Sequence, residues 1–281
     1  MVLNDGLWVW LWDHDDGWAQ LDASKLVGEF RAHGVTGVLP HGTGGMLSWL
    51  KRGALAKFRA AGIAVCPSLS WVRTSTILPA LALDVGHLGG GRVMLDWEGW
   101  WDGQQPLARR IAAEVLAAVP DAAQRVTDCP WWAPLFYIDG AGRRRHTHPR
   151  APTREFGVIC AEDRYVQAYG APHRGRSAEM LAWSRSPTQY EALGRWTIRP
   201  AHQLYKRDLQ DVIRTTLAEP TQCLWDWSGS DATARRGLRV VAALRARHFD
   251  GRGAVRSFQA AAGLVVDDIC GPRTLAALGV T

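Results

Sequence analysis

The chain has 281 residues, 47% of them hydrophobic, enough to bury one large core and to exclude a disordered chain. A formal net charge of +6 favours a polyanionic partner, but the basic residues are scattered apart from Arg143, Arg144 and Arg145 and no nucleic-acid motif accompanies them, which argues against nucleic acid. No run of about 18 apolar residues occurs and residues 1–6 lack a basic start and an apolar stretch, so the expectation is synthesis in the cytoplasm, without a signal peptide or integral membrane association.

In chain order, residues 7–12 form an apolar and aromatic run that ends in Asp13, His14, Asp15, Asp16 and Gly17, a strand followed by a loop. Leu26, Val27 and Phe30 give 22–33 helical spacing, with Gly34 placed as its C-cap. Residues 35–40 read as a second strand, 50–61 as a helix closed by Gly62, and 63–71 as a third strand. A helix near 77–85 leads to strand four at 92–98, a helix at 106–118 with proline in its first turn, and strand five at 125–129. After a long loop rich in Arg, His and Pro, strand six falls at 165–169, followed by a helix around 177–193. Strand seven at 197–204, a helix at 208–218, strand eight at 222–227 and a helix at 232–247 complete eight units.

Near-continuous apolar strands joined by helices call for a parallel sheet covered on both sides, and eight units in this length match an α/β fold of the (β/α)8 TIM-barrel type. An open doubly wound sheet would want a glycine-rich phosphate loop. The run His41, Gly42, Thr43, Gly44, Gly45 fits neither that spacing nor a Walker motif, and reads as a flexible βα loop. The domain expectation is a barrel over 1–247 and a short helical module over 248–281.

The cysteines Cys66, Cys129, Cys160, Cys223 and Cys270 make no CxxC pair and read as free, buried thiols. His146 and His148 have no carboxylate or thiol at matching distance, so neither a metal nor a cofactor is expected. Of the 15 tryptophans, Trp12, Trp71, Trp97, Trp131, Trp132, Trp225 and Trp227 fall at or near strand ends. An indole is a broad apolar plate with one donor, suited to a sugar ring as well as to a core.

Active sites of such barrels form at the C-terminal strand ends. There strand four carries Asp96, Trp97 and Glu98, and alternation along a strand sends the two acids to one side. A carboxylic acid that protonates a leaving oxygen and a second carboxylate that supports the developing cation are what glycosidic cleavage needs, and their mutual repulsion keeps one protonated. The expected roles are Glu98 as general acid and Asp96 as its partner; on strand eight either Asp226 or the pair Trp225 and Trp227 faces the mouth, and in the first case Asp226 is a third acid. Asp13, Trp12, Trp71, Trp97, Asp128, Trp131, Gln167, Tyr169, Trp225 and Trp227 are the expected substrate-binding set.

On these residues the chain resembles the family 25 glycoside hydrolases, barrel lysozymes that cut between N-acetylmuramic acid and N-acetylglucosamine. Asp96 and Glu98 match that family's D-x-E on strand four, residues 224–228 resemble its aromatic final strand, and Asp13 stands at its first aspartate. The chain is also similar to lysozyme-like barrels of phage lysis and tail proteins, through Gln167 with Tyr169 and through Trp225, Asp226 and Trp227. Residues 254–259 (AVRSFQ), Gly263, Leu264, Asp267 and residues 271–278 (GPRTLAAL) resemble the helical peptidoglycan-binding module of wall hydrolases, its first helix missing or fused with the helix after strand eight. Val255, Phe258, Leu264, Ile269, Leu275 and Leu278 would form a small core leaning on the barrel. The resemblance implies a monomeric muramidase-type endolysin, with bacterial peptidoglycan as partner, reaching the wall after release by another factor. A non-catalytic wall-binding or tail structural protein with a degenerate barrel is the alternative.

Overall fold

The computed structural model describes residues 6–12, 17–41, 44–70, 93–96, 105–118, 125–129, 137–138, 141, 144–145, 163–167, 197–203, 208–218, 221–225, 227–228 and 230–280. The first element, β1 (Gly6–Trp12), is followed by α1 (Ala23–Ala32), which starts where the Asp22 carboxylate accepts from Ser24 N at 2.8 Å and Lys25 N at 3.4 Å. Ala23, Leu26 and Phe30 recur at helical spacing and are buried. Next come β2 (Val35–His41), α2 (Gly44–Trp49) and α3 (Leu55–Ala60), the two helices joined through a kink at Gly53, where φ reaches 123°. The helix expected at 50–61 therefore begins at Gly44 and is bent. His41 ends a strand and is buried while Gly44 and Gly45 open a helix, so the run expected as a flexible loop is largely regular structure.

The third strand is two short segments, β3 (Ala64–Val65) and β4 (Ser68–Ser70), interrupted at Cys66 and Pro67. Then follow β5 (Val93–Asp96), α4 (Gln105–Ala118), β6 (Arg125–Cys129), a small antiparallel pair β7 (Tyr137–Ile138) and β8 (Arg144–Arg145) inside the stretch expected as loop, and β9 (Asp163–Gln167). The chain continues through β10 (Thr197–Gln203), α5 (Leu209–Ala218), β11 (Thr221–Trp225), α6 (Ala232–Arg245), α7 (Ala254–Ala261) and α8 (Pro272–Leu278). The helices expected at 77–85 and 177–193 lie outside the described residues.

All strands of the main sheet run parallel in the order β1-β11-β10-β9-β6-β5-β4-β2-β3, and a further pairing of β1 with β2 closes it into a ring. Since β3 and β4 both pair with β2 as parts of one interrupted strand, the ring has eight staves, as the sequence leads one to expect. Leu7, Val9 and Leu11 of β1 join Leu26 and Phe30 of α1, Leu55 and Phe58 of α3, and Leu238 of α6 in one apolar cluster between ring and helices. Trp8 lies on the opposite side of β1, packed so closely on Gly37 that a Cβ there would fall inside the indole.

A second cluster joins Ile213 and Leu217 of α5 and Val240, Val241 and Leu244 of α6 to Val255 and Phe258 of α7 and Leu275 and Leu278 of α8. Leu264 is partly buried against it, but Ile269, expected in this core, is 52% exposed. The buried Gln259 explains why. Its amide nitrogen donates to Asp267 Oδ1 at 2.8 Å, the Ile269 carbonyl at 2.9 Å and Thr274 Oγ1 at 3.1 Å, while its carbonyl oxygen accepts from Asp267 N at 3.2 Å and Asp268 N at 3.0 Å. A polar hub fills the space between α7 and α8, so the Ile269 side chain lies outside it. Cys66 and Cys270 are buried thiols, and burial pushes the Cys270 thiol up to about 11. Among the described residues no helix is long and apolar enough to cross a membrane.

Candidate functional site

In a parallel sheet, register partners share a side, so pleat parity can be followed around the ring. Trp8, Trp10 and Trp12 of β1 stand level with Gly37, Leu39 and His41 of β2, His41 with Ser68 of β4, and Ser68 with Met94 of β5. This is the interior set, because its alternates on β1 face the helices. Two residues beyond Met94, Asp96 closes β5 at the register position of Ser70. The same parity passes from Met94 to Val126, and hence to Asp128, which stands opposite Tyr165. It passes on to Gln167 at the end of β9, opposite Ala201, and to Trp225 at the end of β11, opposite Gln203. Backbone register thus gathers Trp12, Asp96, Asp128, Gln167 and Trp225 on the interior set toward the C-terminal ends of the staves, where a barrel carries its site.

Trp227 does not belong with them. Strand eight ends at Trp225, two residues short of expectation, and Trp227 N donates to the Trp10 carbonyl at 2.8 Å after the strand has ended. Its indole is 1% exposed and turned among the helices: edge-on to Phe30 at 5.0 Å, beside His33 at 5.1 Å, with Nε1 donating to Glu29 Oε2 at 3.3 Å. Expected to bind substrate, it is a core residue. Glu98, Asp226, Asp13, Trp71, Trp97, Trp131 and Tyr169 lie outside the described residues.

A polar group the sequence did not flag occupies the barrel interior. Trp10 Nε1 donates to Ser68 Oγ at 3.3 Å, Ser68 Oγ lies 3.0 Å from His41 Nδ1, and the His41 ring meets the Trp12 ring at 4.9 Å with a 54° tilt. Ser68 and His41 are both buried and Trp12 is partly exposed. The available signals were a histidine terminating an apolar strand and serines alternating with Leu69. Among the described residues no group of three or more His, Cys, Asp or Glu converges as a metal site would require.

No family model matches the sequence, and no curated protein does. Among solved structures, a GH18 chitinase from Pseudoalteromonas aurantia superposes with a TM-score of 0.50 over 84% of this chain and 98% of its own, at 11% identity. A chitinase from Rhizomucor miehei (TM-score 0.47, 11% identity, 84% of this chain and 99% of its own) is also similar. So is a dihydrodipicolinate synthase from Agrobacterium tumefaciens (0.47, 17% identity, 93% and 90%). At this identity the first likeness establishes the fold: the chain is an α/β protein of the TIM-barrel type.

Proposed function

We propose that this chain hydrolyses glycosidic bonds in the glycan strands of bacterial peptidoglycan, as a muramidase-type endolysin. The observation that carries the reading is the place of Asp96, the last residue of β5, on the interior parity of a closed barrel with Asp128, Gln167, Trp225 and Trp12 on the same set. Glu98, two residues further on, protonates the leaving oxygen; Asp96 stabilises the oxocarbenium-like transition state, and Asp226 tunes the pair. Trp12, partly exposed at the end of β1, offers an apolar plate on the interior parity, and the name of the chitinase neighbour supports the idea that this fold suits a polysaccharide-cleaving enzyme.

Residues 248–281 serve as the wall-binding part in this reading. Their connecting loop is fixed by Gln259 and presents Val265, 71% exposed, together with Val266 and Ile269. A net charge of +6 assists capture by an anionic wall, with a pull that weakens as salt rises.

The test is mass spectrometry of the fragments released from purified sacculi by the full chain and by Glu98→Gln. New reducing ends from the unaltered chain, and none from a folded Glu98→Gln that still sediments with sacculi, bear the reading out. Sedimentation without any product from the unaltered chain makes it a wall-binding protein with a degenerate barrel, and new amino groups in place of reducing ends make it an amidase.

A further inference from the structure

The buried chain Trp10–Ser68–His41 determines the hydrogen-bonding character of His41. An indole N–H can only donate, so Trp10 Nε1, 3.3 Å away, occupies an acceptor site of the Ser68 hydroxyl. Among the described residues that hydroxyl has two side-chain partners, Trp10 and His41. The Ser68 side chain is fully buried, so bulk water does not take its proton. The acceptor left for it is His41 Nδ1 at 3.0 Å. A neutral imidazole whose Nδ1 accepts carries its own proton on Nε2. The opposite tautomer would aim two donors at Ser68 Oγ and orphan a buried hydroxyl proton. Trp12, 4.9 Å away and tilted by 54°, restrains the ring from the side.

His41 also has a defined level in the barrel. It stands in register with Ser68, and Ser68 with Met94, while the next interior position toward the strand ends is shared by Ser70 and Asp96. A histidine of fixed tautomer thus lies one layer below the position of the acid, two strands away. We infer that His41 is a positioning residue for the acid layer that Asp96 opens, a neutral Nε2–H donor whose tautomer Trp10 sets through Ser68. This rests on the glycosidase reading above. Such a donor orders a carboxylate or a substrate oxygen without placing a positive charge beside the acid that must hold its proton.

The tautomer can be read on the unaltered full chain by long-range 1H–15N correlation at neutral pH, where the two ring nitrogens of His41 report which carries hydrogen. The Nε2–H pattern is expected, and Ser68→Ala should shift it toward Nδ1–H. With sacculi as substrate, Ser68→Ala and His41→Asn should lower kcat by roughly tenfold or more with KM within about twofold, since a misplaced ring proton impairs the chemical step more than binding. His41→Gln, whose amide keeps a donor at the reach of Nε2, should recover most of that loss. An Nδ1–H ring in the unaltered chain overturns the inference without any variant, which covers the case in which Ser68→Ala does not fold. An active unaltered chain, an inactive Glu98→Gln and an unimpaired folded Ser68→Ala overturn it while the glycosidase reading survives. No hydrolysis by the unaltered chain overturns the reading and the positioning role together.

Discussion

The Arg235 guanidinium sits over the Trp227 indole, 4.8 Å from ring centroid to Cζ, and its Nη2 donates to the Trp227 carbonyl at 3.2 Å. Arg235 Nε also donates to Ser230 Oγ at 2.7 Å, so one side chain ties the turn after β11 to α6. Glu29 of α1 receives the indole N–H at 3.3 Å and lies 3.6 Å from Arg235 Nη1. Trp227 is therefore a clasp between two helices and the end of a stave. Replacing it with alanine should destabilise the fold by about 3–5 kcal/mol, as large aromatic truncations in cores do. Urea unfolding measures this; a near-zero loss together with a raised KM would restore the substrate-binding role that the sequence suggested.

Gly37 should not tolerate a side chain. A Cβ there would overlap the Trp8 ring inside the barrel, where neither the strand nor the indole has room to yield. Gly37→Ala should cost about 1–3 kcal/mol or more, read as a lower midpoint in thermal unfolding followed by near-ultraviolet circular dichroism.

Burial holds the His33 imidazole below its ordinary range, helped by the charges of Arg239 and Arg235, while the bond from its Nδ1–H to the Glu29 carbonyl at 2.6 Å works in the opposite direction. A histidine depressed in the folded state takes up its proton more readily when unfolded. Its contribution to stability is therefore complete above the ordinary value near 6.5 and declines as pH falls from there toward the folded value. His33→Gln should flatten the stability profile in that interval, and NMR titration of the ring should give a midpoint below that of a histidine peptide.

Around Gln259 the sign runs through a carboxylate. The Ile269 N–H at 2.9 Å and the Gln259 amide at 2.8 Å hold the Asp267 carboxyl below its usual range, so the stability this provides is present above the ordinary value near 3.8 and is lost as acid protonates the folded form. Gln259→Glu would place a second carboxylate against Asp267 Oδ1 and remove the donor to Thr274. Hydrogen exchange at Asp267, Asp268 and Ile269 should quicken in this variant at neutral pH and recover partly as pH is lowered. Unchanged exchange would mean that the hub does not hold the loop.

Removal of residues 248–281 should bare Ile213, Leu217, Val240, Val241 and Leu244, which cover the flank of α5 and α6. The shortened chain should bind a hydrophobic dye and melt lower than the full one. An unchanged melting midpoint would show that the barrel needs no cover there.

Much of the fold was legible because its signals are local. Asp22 announces α1 by capping, Leu26 and Phe30 place its buried face, and β6 falls on residues 125–129 as its composition suggests. The failures come where tertiary pairing overrides local pattern. Alternation of Tyr165, Gln167 and Tyr169 suggests a strand over 165–169, but the ladder to β10 already begins at Asp163, two residues earlier, and Tyr169 lies outside the described residues. Trp225 and Trp227 share a parity only if the strand continues, and it stops between them. The pairing of His41 with Ser68 joins residues 27 apart on neighbouring staves, so it exists only once their register is set. Alternation relates Asp96 only to Glu98, which lies outside the described residues; the parity of Asp96 comes from the register of β5 with β4. No periodicity could have identified the Gln259 hub, which brings together groups from a helix, a turn and the next helix.

Stave β1 is flanked by β2 on one side and β11 on the other, so Leu7 matches Val35 near the start of the chain and Gln222 near its end. Half of its ladder can assemble early, whereas the other half must wait for a partner separated by nearly the whole sequence. Contacts of such range slow refolding, because entropy is surrendered before the reward arrives. Until that late meeting, an incomplete arc would leave two raw edges with unpaired amides, making dilution and low temperature the natural conditions for recovering this molecule from denaturant.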